Sequence, residues 1–334
     1  MEICKNCKGI IDKEFIKCSH CYAPMHEECR QYCVRCGAPL CDTCSPEHKR
    51  LCPECEKIDV NTMEFISSTM FEAFEKCPYL FKDTFIINKG IEIQNKWSRC
   101  GQELHALFDK WSYIKEKNYD IMRDEYTTMF NTIDKNLFND EADMAKMLKQ
   151  GYTTISNWIL EEINKPIPLM TEHIHFVKLH ENLPPVRATI DRINGTENDV
   201  RNWEVEDYKT GAIYTSKKLR NNMQLPIYAM VIKEVYGDLP KILRLRFPLH
   251  QAERVYERIT EDLYTCQVKR GGIYNISLQE TLDNMVSIYS NIRKDLFLPN
   301  TQDSHFCDNY CPLYRQGKCK ALSTKWNMLM KRGY

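Results

Sequence analysis

The stretch WEVEDYKTGA, residues 203–212, sets three acids and a lysine in an alternating frame that ends on a turn signal. Strand side chains alternate between faces. Trp203, Val205, Asp207 and Lys209 therefore share one face, and Glu204, Glu206 and Tyr208 the other. On a surface strand Asp207 and Lys209 would form a solvated salt bridge of little energetic value. The neighbouring sequence decides between that reading and a functional one.

Upstream, RATIDRING (187–195) reads as a strand ending in Asp191 before a turn. Downstream, Gln224 and Tyr228 stand four residues apart and share one helix face. Further out, TEHIHFVKL (171–179), PPVRATIDRI (184–193) and VRNWEVEDYKTG (200–211) read as three strands. A helix over NNMQLPIYAMVIKEVYG (221–237) and a strand over KILRLRFPL (241–249) follow, and two further helical patterns lead to the carboxyl-terminal cysteines. From Met63 to about Lys165 the pattern is mainly helical; in CGQELHALFDKW, Gly101, Leu104, His105, Phe108 and Trp111 recur at helical spacing. This order predicts a mixed α/β core.

The 334 residues allow two domains, and 46 basic against 46 acidic residues leave no net charge. Any nucleic-acid site must then be a local patch. No apolar run approaches the ~20 residues of a membrane span. The start MEICKNCKGI lacks the basic and apolar regions of a signal peptide, so cytoplasm or nucleus is the expected compartment. Lysine-, isoleucine- and asparagine-rich usage hints at an AT-rich genome such as that of a bacterial virus.

Of 17 cysteines, eleven crowd between Cys4 and Cys55. In a cytoplasmic protein such spacing means metal rather than disulfides. The pairs are Cys4/Cys7, Cys18/Cys21, His26/Cys29, Cys33/Cys36, Cys41/Cys44 and Cys52/Cys55, with His48 between the last two. Tetrahedral zinc takes four such ligands, so two to three Zn²⁺ ions are expected in a domain over 1–58. The first pairs resemble a RING or PHD finger, in which alternate pairs share a metal. That likeness implies Cys4 and Cys7 with His26 and Cys29; sequential pairing with Cys18 and Cys21 stays open.

An acid on one strand, D-x-K on the next, Q-x3-Y on a helix and a histidine on an earlier helix form an ordered set. This resembles the RecB family of PD-(D/E)XK nucleases. ISSTMFEAFEKCPYLFKDTF (66–85) is similar to its opening helix, GQELH to its histidine motif, ATIDRI to its first acidic motif and EDYKTG to its D-x-K motif. The resemblance implies a restriction-endonuclease-like domain over 62–334, a mixed sheet flanked by helices. It also implies Asp191, Asp207 and the Tyr208 carbonyl as ligands of Mg²⁺ or Mn²⁺, with His105 as a further ligand or phosphate-side helper. Hard oxygen donors suit those ions. Lys209 would orient or deprotonate the attacking water, or neutralise the phosphate. Gln224 would steady Lys209 or the backbone, and Tyr228 would touch the strand being cut. Glu172 is a weaker candidate ligand; Glu204 and Glu206 lie on the other face.

Cys77 precedes this core, and FCDNYCPLYRQGKC (306–319) follows it with Cys307, Cys311 and Cys319. One cysteine before and three after resemble the iron–sulfur subgroup that includes AddB and CRISPR-associated exonucleases. The spacing is C-x3-C-x7-C rather than near C-x2-C-x5-C. A 4Fe-4S cluster is expected, with Zn²⁺ at the same four thiols as the alternative. Cys100 and Cys266 match no motif and read as ordinary buried residues.

The expected function is a metal-dependent DNA nuclease, an exonuclease on single strands or ends, in replication, recombination or repair. Its partners would be DNA and a helicase, recombinase or other replication protein bound through the zinc domain. The alternatives are a structure-specific endonuclease and a non-catalytic zinc-finger adaptor on a nuclease fold.

Overall fold

The computed structural model describes residues 2–5, 8, 10–11, 16–18, 23–26, 31–32, 39–41, 43, 63–87, 95–268, 271–295, 297–300, 302, 304–309, 311–315, 317 and 319. The chain divides into two compact units. One comprises Met1–Glu64, Thr69–Ile93 and Val286–Tyr334, the other Phe65–Ser68 and Gln94–Met285.

The second unit is built on an eight-stranded mixed sheet. Its strands are β1 (Ile66–Ser67), β2 (Met170–Val177), β3 (Val186–Asn194), β4 (Glu204–Tyr208), β5 (Ile242–Phe247), β6 (Ala252–Arg258), β7 (Leu263–Val268) and β8 (Gly272–Ser277). Neighbours run β8-β7-β6-β5-β4-β3-β1, with β2 also on β3. The parallel pairs are β4–β5 and β1–β3; the rest are antiparallel. A parallel pair needs a crossover connection. The helix Gln224–Tyr236 lies in that connection between β4 and β5.

The expected helical reading after Leu249 is corrected here. Residues 252–258, 263–268 and 272–277 form three antiparallel strands, and the helix Leu278–Arg293 follows. The physical reason lies in the alternation: Tyr256, Tyr264, Cys266, Tyr274 and Ile276 are buried while polar neighbours face water. Frequent Glu and Arg suit either element, so composition misleads where period two does not. The strand at Asp191 is also longer than expected and runs on to Asn194.

Helices α2 (Lys96–Ser112), α3 (Tyr119–Phe130) and α4 (Glu141–Glu162) form one layer, following α1 (Ser68–Lys76). Asn95 caps α2 through Ser98, and Asp140 caps α4 through Asp143. Leu104, Phe108 and Trp111 of α2 are buried with Trp158, Tyr126 and Tyr208. Gly151 of α4 lies against Tyr126: a Cβ there would stand 2.1 Å from the fully buried ring. Gly151→Ala is therefore expected to destabilise by about 2 kcal/mol through overpacking, read as a lower thermal midpoint.

Beneath this layer lies a buried ionic network. Arg246 Nη1 donates to Glu162 at 2.6 Å and to Glu206 at 2.8 Å, and its Nη2 donates to Glu161. Arg192 donates to Glu162 at 2.6 Å, and Lys165 to Glu206 at 2.9 Å. Burial opposes ionisation of Glu206, yet Arg246, Lys165 and Arg192 outweigh it and hold its carboxyl at about 2, below the ordinary 4.5. A depressed folded value stabilises fully above the unfolded one, and that contribution is lost as pH falls through the folded value. Stability should thus decline between pH 4.5 and about 2, and Glu206→Gln should flatten this slope in acid-unfolding titrations.

In the first unit, short two-stranded ladders pair Glu2–Ile3 with Ile10–Ile11, Ile16–Lys17 with Pro24–Met25 and Gln31–Tyr32 with Pro39–Leu40. Cys4, Cys18, Cys41, Cys77, Cys311 and Cys319 are buried in one cluster with Met25, Leu40, Tyr79 and Leu313. The His26 amide donates to Cys4 Sγ at 3.4 Å. The expected ligands Cys7, Cys21, Cys29, Cys33, Cys36, Cys44, Cys52 and Cys55, and His48, lie outside the described residues. Among the described residues, no helix is long and apolar enough to cross a membrane.

Candidate active site

The site stands where β3 and β4 part. Their ladder pairs Glu204 with Asn194 and Glu206 with Arg192, and ends there. The next free donor on β4, the Tyr208 amide, bonds the Asp191 carboxylate at 2.7 Å instead. Asp191 is thereby fixed at the fork. β4 continues against β5, where the Lys209 amide donates to the Arg246 carbonyl at 2.7 Å.

Helix α2 brings His105 to this fork. Gly101, one turn earlier, faces the loop after β4, where an added Cβ would lie 2.9 Å from Thr210 Oγ1. Its missing side chain lets the helix sit close to that loop. His105 Nδ1 then lies 3.4 Å from Asp191 Oδ2 and 3.4 Å from Glu172 Oε1. Glu172 has a left-handed backbone, φ 45°, within β2, a conformation that costs a non-glycine residue about 1–2 kcal/mol. Thr171 beside it bonds Asp109 of α2 and, at 3.0 Å, Tyr113, which caps the end of that helix, tying the strand to the helix at this point.

From the other side comes helix α5 (Gln224–Tyr236). Lys209 Nζ donates to Gln224 Oε1 at 2.6 Å and lies 2.7 Å from Asp207 Oδ2. Gln224 Nε2 is 2.6 Å from the Tyr228 hydroxyl, which reaches Asp207 Oδ1 at 3.4 Å. Tyr228 is buried, 2 % exposed, so it braces Asp207 and presents no surface to a strand being cut.

Charge in the cluster is tightly balanced. Burial disfavours the His105 imidazolium, but Asp191 and Glu172 outweigh it and raise its pKa to about 10. Burial likewise opposes ionisation of Asp191, and His105 and Lys209 reverse that and lower it. Burial pushes Asp207 up to about 6, with Asp191 adding to the rise and Lys209 opposing it. Lys209 is held well above the usual lysine range: burial works against its charge, and Asp207 and Asp191 more than restore it. It is an ammonium at neutral pH.

The donors suit a divalent cation. His105, Glu172 and Asp191 each offer a ligand atom, all within 4.8 Å of one another. Asp207 Oδ2 is buried, with the Lys209 ammonium 2.7 Å away as its ion-pair partner. Three carboxylates and one imidazole match Mg²⁺ or Mn²⁺. The carboxylates now balanced by an imidazolium would balance the cation in its stead.

The sequence order His105, Asp191, Asp207, Lys209, with Gln224 and Tyr228, is thus gathered at one fork, and the model of the PD-(D/E)XK nuclease superfamily matches residues 66–316. The chain belongs to that superfamily. No curated protein matches it. Nucleases of this superfamily use divalent metals such as Mg²⁺ or Mn²⁺, in keeping with the donor set. The match takes in Cys77, Cys307 and Cys311 and ends before Cys319.

Glu172 carries only a weak sequence signal, and Gly101's contact with Thr210 carries none. A cavity of about 660 Å³ lies elsewhere, lined by Glu161, Lys165, Glu206 and Arg246 among others, whose charges are already paired. It offers no carboxylate free for a metal.

Proposed function

We propose that this PD-(D/E)XK protein is a metal-dependent deoxyribonuclease acting as an exonuclease on single-stranded DNA or DNA ends. The observation that carries the reading is the meeting of Asp191, Glu172 and His105 with the Asp207–Lys209 pair at one fork. Asp191 and Asp207 would hold Mg²⁺ or Mn²⁺, with the Tyr208 carbonyl, Glu172 and His105 as further ligands. When bound, the cation supplies an activated water and neutralises charge on the phosphorane-like transition state. Lys209, charged and steered by Gln224, donates to the scissile phosphate and to the charge that develops on it. Tyr228 and Gln224 act on the reaction by holding Asp207 and Lys209 in place.

The remaining cysteines support an accessory reading. Cys77, Cys307, Cys311 and Cys319 are all buried, Cys77 Sγ accepts from the Asn300 amide at 3.4 Å, and Cys307 Sγ lies 3.8 Å from the Asn300 carbonyl. Four buried thiols suit a 4Fe-4S cluster of the RecB-like iron–sulfur subgroup, with Zn²⁺ as the alternative. The amino-terminal segment 1–58 would be a zinc module contacting DNA or a replication, recombination or repair partner, and 62–334 the nuclease domain.

Digestion of end-labelled linear and of circular single-stranded DNA, by anaerobically purified protein with Mg²⁺ or Mn²⁺, tests this reading. Degradation of the linear form with the circle left intact is expected. Nicking of the circle would replace the exonuclease with an endonuclease. No cleavage of any DNA or RNA by metal-loaded protein would favour a non-catalytic adaptor.

A further inference from the structure

The strand pair carrying the acidic cluster continues beyond it. Among the described residues β2 pairs with β3 alone, so its other edge is open. Past Glu172 the register sets Ile174 opposite Thr189 and Phe176 opposite Arg187. His175 and Val177 are buried, whereas Ile174 is 49 % and Phe176 59 % exposed. This strand therefore turns an apolar row to water, where a solvated face would normally carry polar side chains.

Two further groups meet that row. Phe65 precedes β1, whose Ser67 is paired with Arg187, and its ring meets Phe176 edge-on with centroids 5.7 Å apart. The Arg187 guanidinium lies 5.6 Å from the Phe65 ring centroid. Strand rise of ~3.3 Å per residue sets Phe176 about 13 Å along β2 from Glu172. That is about four nucleotides at the ~3.4 Å stacked spacing, and fewer in an unstacked strand.

We propose that Phe176, Phe65, Ile174 and Arg187 form a stacking platform for the bases of single-stranded DNA beside the scissile position. The inference rests on the DNA-nuclease reading and names how that site holds its substrate. Aromatic faces stack on any base, which suits a nuclease without sequence preference, and the guanidinium offsets phosphate charge or stacks in turn. Continuity with the metal-binding cluster along one strand pair, together with the positive charge, selects nucleic acid over an apolar protein partner.

The test measures fluorescence anisotropy of labelled oligonucleotides at fixed salt, in a Lys209→Ala background that prevents hydrolysis. Adding Phe176→Ala should weaken single-strand binding about tenfold, the effect of losing one stacked base. Phe176→Tyr should restore most of it. On an oligonucleotide abasic throughout the bound segment, Phe176→Ala should change affinity less than twofold. Unchanged affinity for the normal strand, or an equal loss on the abasic one, overturns the platform. Hydrolysis of thymidine 5′-(p-nitrophenyl phosphate), too short to reach Phe176, reads the hydrolytic centre separately. Turnover by wild type that Lys209→Ala abolishes upholds that centre whatever happens to the platform; no turnover refutes the nuclease reading and the platform with it.

Discussion

Lys209→Ala is expected to lower the rate of phosphodiester hydrolysis by about 10²–10³-fold, with the folded state retained. The ammonium is the nearest cation to Asp207 Oδ2, at 2.7 Å, and bonds Gln224 at 2.6 Å. Its alanine variant removes a positive charge from beside the scissile phosphate, where the transition state gathers negative charge. Asp207 would also lose the partner that opposes its upward shift, so more of it would be protonated near neutral pH. The loss should therefore appear in kcat more than in KM, and rise as pH falls from 8 to 6. Lys209→Arg keeps the charge, but its planar fork cannot reproduce the geometry between Gln224 and Asp207, so only partial recovery is expected. Single-turnover cleavage with far-ultraviolet circular dichroism as the folding control makes the measurement. An unaltered rate in the alanine variant would remove Lys209 from the chemistry.

Arg246→Leu is expected to destabilise the protein by about 3–5 kcal/mol. Arg246 is 2 % exposed and bridges Glu162, Glu206 and Glu161. Removing it leaves Glu206 buried with Lys165 as its nearest cation at 2.9 Å, and Glu162 with Arg192 at 2.6 Å. The cost is that of stranding buried carboxylates, not the worth of one ion pair. Arg246→Leu combined with Glu206→Leu should accordingly be less destabilised than the single variant, because the stranded charge leaves with its partner. Urea unfolding of the two variants decides this. A double variant no more stable than the single would show that the network acts through packing instead.

Some of the site is legible in local sequence because local geometry governs it. Asp207 and Lys209 share a face by the alternation of a strand, and Gln224 and Tyr228 share one by the turn of a helix. The helical frame of GQELH likewise sets Gly101 and His105 on one side of α2. Glu172 carried only a weak signal, since an acid opening an amphipathic strand is common, and its left-handed backbone depends on how β2 meets α2. Residues 252–258, 263–268 and 272–277 escaped because their frequent charged side chains suit either element and the strands are secured by their neighbours in the sheet. Glu206 could be assigned to a face but not to partners, which come from residues 165, 192, 244 and 246.

The sequence by itself determined the nuclease superfamily, the acid and lysine of one strand, and the histidine and glutamine of two helices. These follow from covalent geometry within a few residues, where periods of 2 and 3.6 leave no choice of face. Only the tertiary structure decided that His105, Glu172 and Asp191 converge, that Tyr228 is buried behind Asp207, and that Phe176 stands open beside Arg187. Those meetings depend on the register of β2 on β3, the parting of β3 from β4, and the seating of α2 against Thr210. The free energy of the whole packed core sets such long-range relations, so no short stretch of sequence contains them.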